Sequence, residues 1–355
     1  MIIKRDYYLQ QLISSKSNNL IKIVTGIRRS GKSFLLFNLF HNHLIETGIS
    51  EDHIIEIALD DRLNKNLRDP DVILQHIHER IVDDKLYYII LDEVQMIDEF
   101  TDVLNSLLHI RNADVYVTGS NSKFLSKDVV TEFRGRGDEI HLFPLSFAEL
   151  YNSIGGDKFE LWKSYYTYGG LPGILELDSE KKKAAYLRSL HETVYLKDII
   201  ERNNLKNSEE FMELMRVMAS CIGSPCNPSK LENTFKSVKN ETLDRKTISK
   251  YLSYMEDAFL IEKSMRYDIK GRKYIGTLSK YYFQDIGLRN ALLNFRQVEE
   301  NHIMENVIYN ELRLRGFCVD VGMVEARTAK ERKQLEVDFV ANMADRRYYI
   351  QSAFA

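Results

Sequence analysis

The chain has 355 residues, 44% of them hydrophobic and 28% charged, with a formal net charge of −3. That composition excludes a disordered chain, leaves room for two or three domains with cores of their own, and gives no global attraction to nucleic acid or to an anionic membrane. Three cysteines, Cys221, Cys226 and Cys318, without a repeated CxxC pair, exclude a disulfide framework and a zinc site and fit a reducing, cytoplasmic compartment.

The opening "MIIKRDYYLQQLIS" lacks the apolar core and cleavage site of a signal peptide, and no long uninterrupted apolar run follows it, so neither export nor a membrane span is expected. From about residue 20 to 150, apolar runs alternate with helix-length segments: "LIKIVTG", "HIIEIALDD", "YYIILDE", "DVYVTGS" and "DEIHLFPLS". Near-continuous apolar strands separated by helices predict a parallel sheet covered on both faces.

The first run leads into Gly26, four residues, then Gly31-Lys32-Ser33, which is the P-loop spacing between a strand and a helix. Glycines let backbone N–H groups converge on phosphate oxygens, the lysine neutralises phosphate charge, and the serine hydroxyl is a Mg²⁺ ligand. Arg28 is a further candidate at the phosphates, and ATP with Mg²⁺ is the expected cofactor pair, since no guanine-reading NKxD motif is present. "YYIILDE" supplies Asp92 at a strand end for the metal, and the adjacent Glu93 is placed to polarise an attacking water. Ser120 and Asn121, after the strand "DVYVTGS", are candidate γ-phosphate sensors. Arg134 and Arg136, on the glycine-flexed "EFRGRGDEI", are candidate arginine fingers, acting in their own subunit or across an interface in an oligomer.

From Phe147 to about Asn207 the strands give way to helical spacing, a lid or linker. Residues 209 to 295 then read as three amphipathic helices followed by the strand-like "LIEKSMRYDI" and "SKYYFQDIG", separated by the turn-rich "KGRKYIG". That is the order of a winged-helix domain. In the third helix Ile248, Leu252, Met255 and Phe259 form an apolar stripe. Arg245, Lys246 and Lys250 face the other way, where a recognition helix meets duplex DNA, and Lys270, Arg272 and Lys273 sit at the wing tip. A protein-interaction role for the same module is the competing reading. The last stretch opens with the helix "VEENHIMENVIYNELRLRG" and continues as "CVDVGMVEA", "QLEVDFVAN" and "RRYYIQSAF".

The segments "GIRRSGKS", "IILDEVQ", "VTGSNS", "FRGRGDEIHLFPLSFAEL", "YGGLPGIL", "ETVYLKDIIER" and "LEVDFV" together resemble prokaryotic AAA-type ATPases of the archaeal-ATPase-like group that carry a C-terminal domain of unknown function. The resemblance implies an α/β fold, an additional-strand P-loop parallel sheet, and the roles of Lys32, Ser33, Asp92 and Glu93 argued above. The final segment resembles a partial restriction-endonuclease-like core, with Glu305 and Glu311 on a helix and Asp338 on a strand. Gln351 and Ala353 stand where that core has its acid and lysine, so nuclease activity is not expected. The expected domains are a P-loop ATPase domain over 1–150, a lid over 151–208, a winged helix over 209–295 and an incomplete nuclease-like segment over 296–355. The expected function is Mg²⁺-assisted ATP hydrolysis coupled to movement of the winged helix. The alternative is a nucleotide-gated switch or scaffold with negligible turnover that holds a protein or DNA partner.

Overall fold

The computed structural model describes residues 3–119, 135–239, 243–296, 300–327 and 332–353. Its contacts divide the chain into two units, Met1–Leu142 and Phe143–Ala355. Among the described residues no helix is long and apolar enough to cross a membrane.

The first unit is built on strands β1 (Ile21–Thr25), β2 (Ile54–Ala58), β3 (Tyr87–Asp92), β4 (Ala113–Thr118) and β5 (Gly137–His141), ordered β2-β3-β4-β1-β5. Every pairing is parallel. Alternate residues point to opposite faces, and both faces are buried. Ile23, Ile55, Ile57, Ile89, Leu91, Val115 and Val117 enter one core, while Val24, Ile54, Tyr88, Ile90 and Tyr116 enter the other. This is why the strands read as unbroken apolar runs.

Helix α1 (Asp6–Ser14) contributes Tyr8 and Leu12 to the second core, beside Leu35, Leu36 and Phe40 of α2. α2 runs through 32–46, its middle turn Leu35–Phe40 wound as a π-helix. On the opposite face lie α3 (Pro70–Arg80) and α4 (Phe100–Leu107), the former started by Asp69, whose carboxylate accepts from the N–H groups of Asp71 and Val72 ahead of a first-turn proline. In β1 the buried Lys22 pairs with Asp114, which also accepts from Tyr116 Oη and Ser17 N. Those partners offset the cost of burying the charges.

The second unit opens with α5 (Phe147–Ile154), closed by a capping box between Ser146 and Glu149. α6 (Lys158–Tyr168) and α7 follow, the latter spanning 180–203 with a π turn at His191–Leu196. Helices thus fill the segment in which strand patterns vanish. Next come α8 (Ser208–Ser220), α9 (Pro228–Thr234) and α10 (Arg245–Asp257), then β6 (Ile261–Asp268) and β7 (Lys273–Phe283).

Two boundaries differ from the sequence expectation. β7 begins at Lys273, inside the run read as a turn, so the turn closes over residues 269–272 around Asp268, whose carboxylate accepts from Lys270 N and Gly271 N. The end of "SKYYFQDIG" is not strand, because Asp285 accepts from Leu288 N and caps α11 (Ile286–Leu292).

After α12 (Glu300–Leu314) come β8 (Cys318–Arg327), β9 (Arg332–Met343) and β10 (Arg346–Ile350). The sheet order is β10-β9-β8-β6-β7, with β6 antiparallel to β7 and parallel to β8. The β6–β7 hairpin and the terminal strands therefore share one sheet.

Candidate nucleotide site

β1, β3 and β4 are parallel and adjacent, so their carboxyl ends lie together, the place where open α/β sheets present ligand-binding loops. β1 ends at Thr25 and turns through Gly26 at φ +136°, where an added Cβ would lie 2.2 Å from the Leu142 carbonyl oxygen. Only glycine passes there. Gly31, at φ +98°, makes the second turn and delivers Lys32 as the first residue of α2.

The Lys32 ammonium is buried inside the loop and donates to Gly26 O at 3.0 Å and Ile27 O at 3.2 Å. Burial lowers its pKa to about 8, with Arg28 acting in the same direction and Glu93 and Asp92 opposing. Asp92, the last residue of β3, is 3% exposed, and burial raises its pKa against hydrogen bonds from Thr118 and Ser33. The two candidate metal ligands, one in the first turn of α2 and one at the end of a strand, therefore already touch.

Thr118, the last residue of β4, donates to Asp92 and accepts from Glu93 N at 2.9 Å. Glu93 sits in the left-handed region at φ +53°, which turns its side chain off the strand line, and the Gln95 side-chain amide donates to its carboxylate. Arg5, ahead of α1, is 4% exposed; it donates to Ser30 O at 3.3 Å and lies 4.6 Å over the Tyr8 ring.

Sequence reasoning placed Thr118 among the polar strand-end residues near the glutamate without giving it this role, and missed Gln95 and Arg5 as parts of this site. Thr118 and Gln95 carried the visible signal of polar residues next to the acid pair and at the end of its neighbouring strand. Nothing in the sequence marked Arg5. Ser120, Asn121 and Arg134 lie outside the described residues.

Arg136 is exposed just before β5, and its carbonyl accepts from Ile21 N at the start of β1. It therefore lies at the amino end of the sheet, about 15 Å of strand away from the phosphate loop. Parallel pairing of β5 with β1 carries it to the end of the sheet opposite the loop, which does not favour a finger role within its own subunit.

In the second unit Arg245, Lys246, Lys250, Lys270, Arg272 and Lys273 are all exposed. The first three lie on α10, whose start is capped by Asp244, and Lys270 donates to Glu325 O at 3.2 Å. Glu305 and Asp338 converge, whereas Glu311 pairs with Arg315 instead. Gln351 follows the end of β10 and donates to Asp338 at 2.7 Å, and Ala353 is exposed.

Residues 18–151 match the AAA domain family, and residues 159–299 match a family described as a domain of unknown function. The chain is 34% identical over 360 residues to an uncharacterized protein of Haemophilus influenzae, a match covering 99% of this chain and 87% of that one. The chain belongs to one family with that protein, and its residues 18–151 are an AAA domain. A second relative, an uncharacterized protein of Methanocaldococcus jannaschii, is 30% identical over 357 residues, covering 96% of this chain and 75% of its own. Among solved structures, Cdc6p of Pyrobaculum aerophilum is similar at 12% identity and a TM-score of 0.35, covering 86% of this chain and 96% of that one. Membership brings an AAA-type P-loop fold, nucleotide binding in general and an ATPase-like character. The hydroxyl, carboxylate and ammonium groups gathered here fit a triphosphate with a hard divalent cation.

Proposed function

We propose that the chain binds ATP with Mg²⁺ at the carboxyl ends of β1, β3 and β4 and hydrolyses it, with the second unit as the element that the cycle acts upon. The observation that carries this reading is the contact of Ser33 with Asp92 beside a buried Lys32, with Glu93 fixed next to them through Thr118. Loop N–H groups and Lys32 hold the phosphates, with Arg28 beside them. Ser33 and Asp92 hold the metal, which supplies charge neutralisation when bound. Glu93 orients the water.

Glu93→Gln is expected to keep ATP binding and lose about 100-fold or more in turnover. Turnover equal to the parent's would overturn the assignment. Arg136, far from its own loop, is proposed only as a group acting on a neighbouring copy, and Arg136→Ala should then lower turnover only at protein concentrations where copies associate.

A second reading, a switch that holds nucleotide with negligible turnover, draws support from Gln95, which engages the Glu93 carboxylate. A single-turnover assay with and without duplex DNA separates the two. For the second unit we propose a winged helix, from the order α8, α9, α10, β6, β7, with the exposed basic residues of α10 and of the hairpin tip as its contacts to duplex DNA. Binding that does not weaken along a salt series would remove that proposal and leave a protein partner. Nuclease activity is not proposed, because neither Gln351 nor Ala353 supplies the missing acid and lysine.

A further inference from the structure

The second unit contains a buried charge cluster that the nucleotide site does not use. Lys280, on β7, has a side chain only 3% exposed, and its ammonium lies 2.8 Å from Glu305 Oε1 on α12 and 2.7 Å from Glu336 Oε1 on β9. Asp338 Oδ1, two residues along β9, is 3.9 Å away. β7 and β9 are not neighbours in the sheet, so this link runs through side chains alone. Two of the carboxylates have further donors: Tyr282 Oη donates to the same Glu305 Oε1 at 2.7 Å, while Gln351 Nε2 and Ser352 N donate to Asp338 Oδ2 at 2.7 and 2.8 Å.

Three carboxylates surround one ammonium, and the acids face the lysine instead of a common open point. Among the described residues no group of three or more acids, histidines or cysteines is arranged to hold a metal ion. A helix and a strand with acids on facing positions, Glu305 on α12 and Glu336 and Asp338 on β9, would repel one another unless a cation sat between them. Burial alone works against the charge on Lys280, but the attraction of Glu305 and Glu336 outweighs it and holds the ammonium protonated above its usual range.

We propose that Lys280 is the resident cation of this cluster, its ammonium occupying the place that a divalent metal would otherwise take among Glu305, Glu336 and Asp338. The terminal sheet and α12 are thus clamped together without metal, and the cluster becomes a divalent-cation site only when Lys280 is removed. A lysine on β7, and not one at position 353, closes the site, which is a second reason not to expect metal-dependent phosphodiester chemistry there.

Mn²⁺ binding to the full chain, without nucleotide, tests this by the loss of the free-ion electron paramagnetic resonance signal. Lys280→Ala should gain one bound Mn²⁺ per chain over the parent, and Lys280→Ala with Glu305→Gln should lose that gain. Lys280→Arg, which keeps the charge, should fold and bind no more Mn²⁺ than the parent. Should Lys280→Ala fail to fold in chelator, the expectation is that Mn²⁺ restores it. No added Mn²⁺ in Lys280→Ala, no rescue of an unfolded variant, or parent binding that Glu305→Gln removes would each overturn the proposal.

Discussion

One hydroxyl, that of Thr118, serves both acids of the nucleotide site, donating to Asp92 and accepting from the Glu93 amide. Thr118→Val keeps the shape and leaves a buried carboxylate short of a donor, which should cost about 1–3 kcal/mol in urea unfolding and lower turnover as well. Thr118→Ser should restore much of both, and an unaffected Thr118→Val would deny the hydroxyl its role. Lys32 makes a different prediction. Its pKa of about 8 in the folded chain lies below the ordinary lysine value of 10.5, so between those two pH values the folded state carries fewer protons and stability rises with pH. Phosphates binding beside it favour the charged form, so ATP binding near pH 9 should take up protons. Calorimetry in buffers of different ionisation enthalpy would reveal that uptake, and Lys32→Met should abolish it.

Strands and loops set how much of this was readable beforehand. The five strands of the first sheet were legible because both faces are buried, and a doubly buried strand is apolar throughout: Ile89 and Leu91 go one way, Tyr88 and Ile90 the other. The P-loop was legible because its spacing is a requirement of backbone geometry. Gly26→Ala should therefore remove nucleotide binding and several kcal/mol of stability, since the new Cβ meets the Leu142 carbonyl at 2.2 Å and the φ of +136° is strained for any other residue. Wild-type melting and binding in that variant would contradict the close approach. Less legible was β7, because Lys273 and Tyr274 look like turn residues while their exposed sides hide the pairing of Tyr274 with Tyr267 across the hairpin. Arg136 escaped because a side chain's position along a parallel strand depends on register, which the sequence does not print. Lys280 escaped for a related reason: its partners come from α12 and β9, and only the folded sheet brings them near.

For the molecule as a whole, a net charge of −3 conceals both the exposed basic residues of the second unit and its buried titrating groups. If six basic residues meet phosphates, the logarithm of the binding constant should fall with the logarithm of salt at a slope approaching about −5. Acid stability sets the buried His191 of that unit against carboxyls that burial raises, among them Asp285 and Glu256, the latter pushed up to about 7. Burial, with Arg216 nearby, lowers the His191 pKa to about 4 from 6.5, so the unfolded chain takes up the proton first and stability is lost as pH falls between those values, by up to about 3 kcal/mol. Asp285 has the opposite sign. Burial raises its pKa to about 6 from 3.8 despite backbone hydrogen bonds, so the folded chain gains protons first and stability rises as pH falls through that range. His191→Phe should remove that loss of stability from a pH series of unfolding curves and leave the trend of the raised carboxyls, Asp285 and Glu256 among them, and an unchanged acid limb would remove His191 from the account.

The sheet of the second unit has one more consequence, and it concerns synthesis. β6 takes β7 on one side within a tight hairpin, but its other partner is β8, through Arg266, Tyr267 and Asp268 against Val321, Gly322 and Met323. A ribosome adding about 5–20 residues each second delivers that partner several seconds later. During that interval the nascent hairpin carries an open row of amides and carbonyls, exposed to any neighbouring polysome. Release of a chain cut short before β8 would make that row permanent.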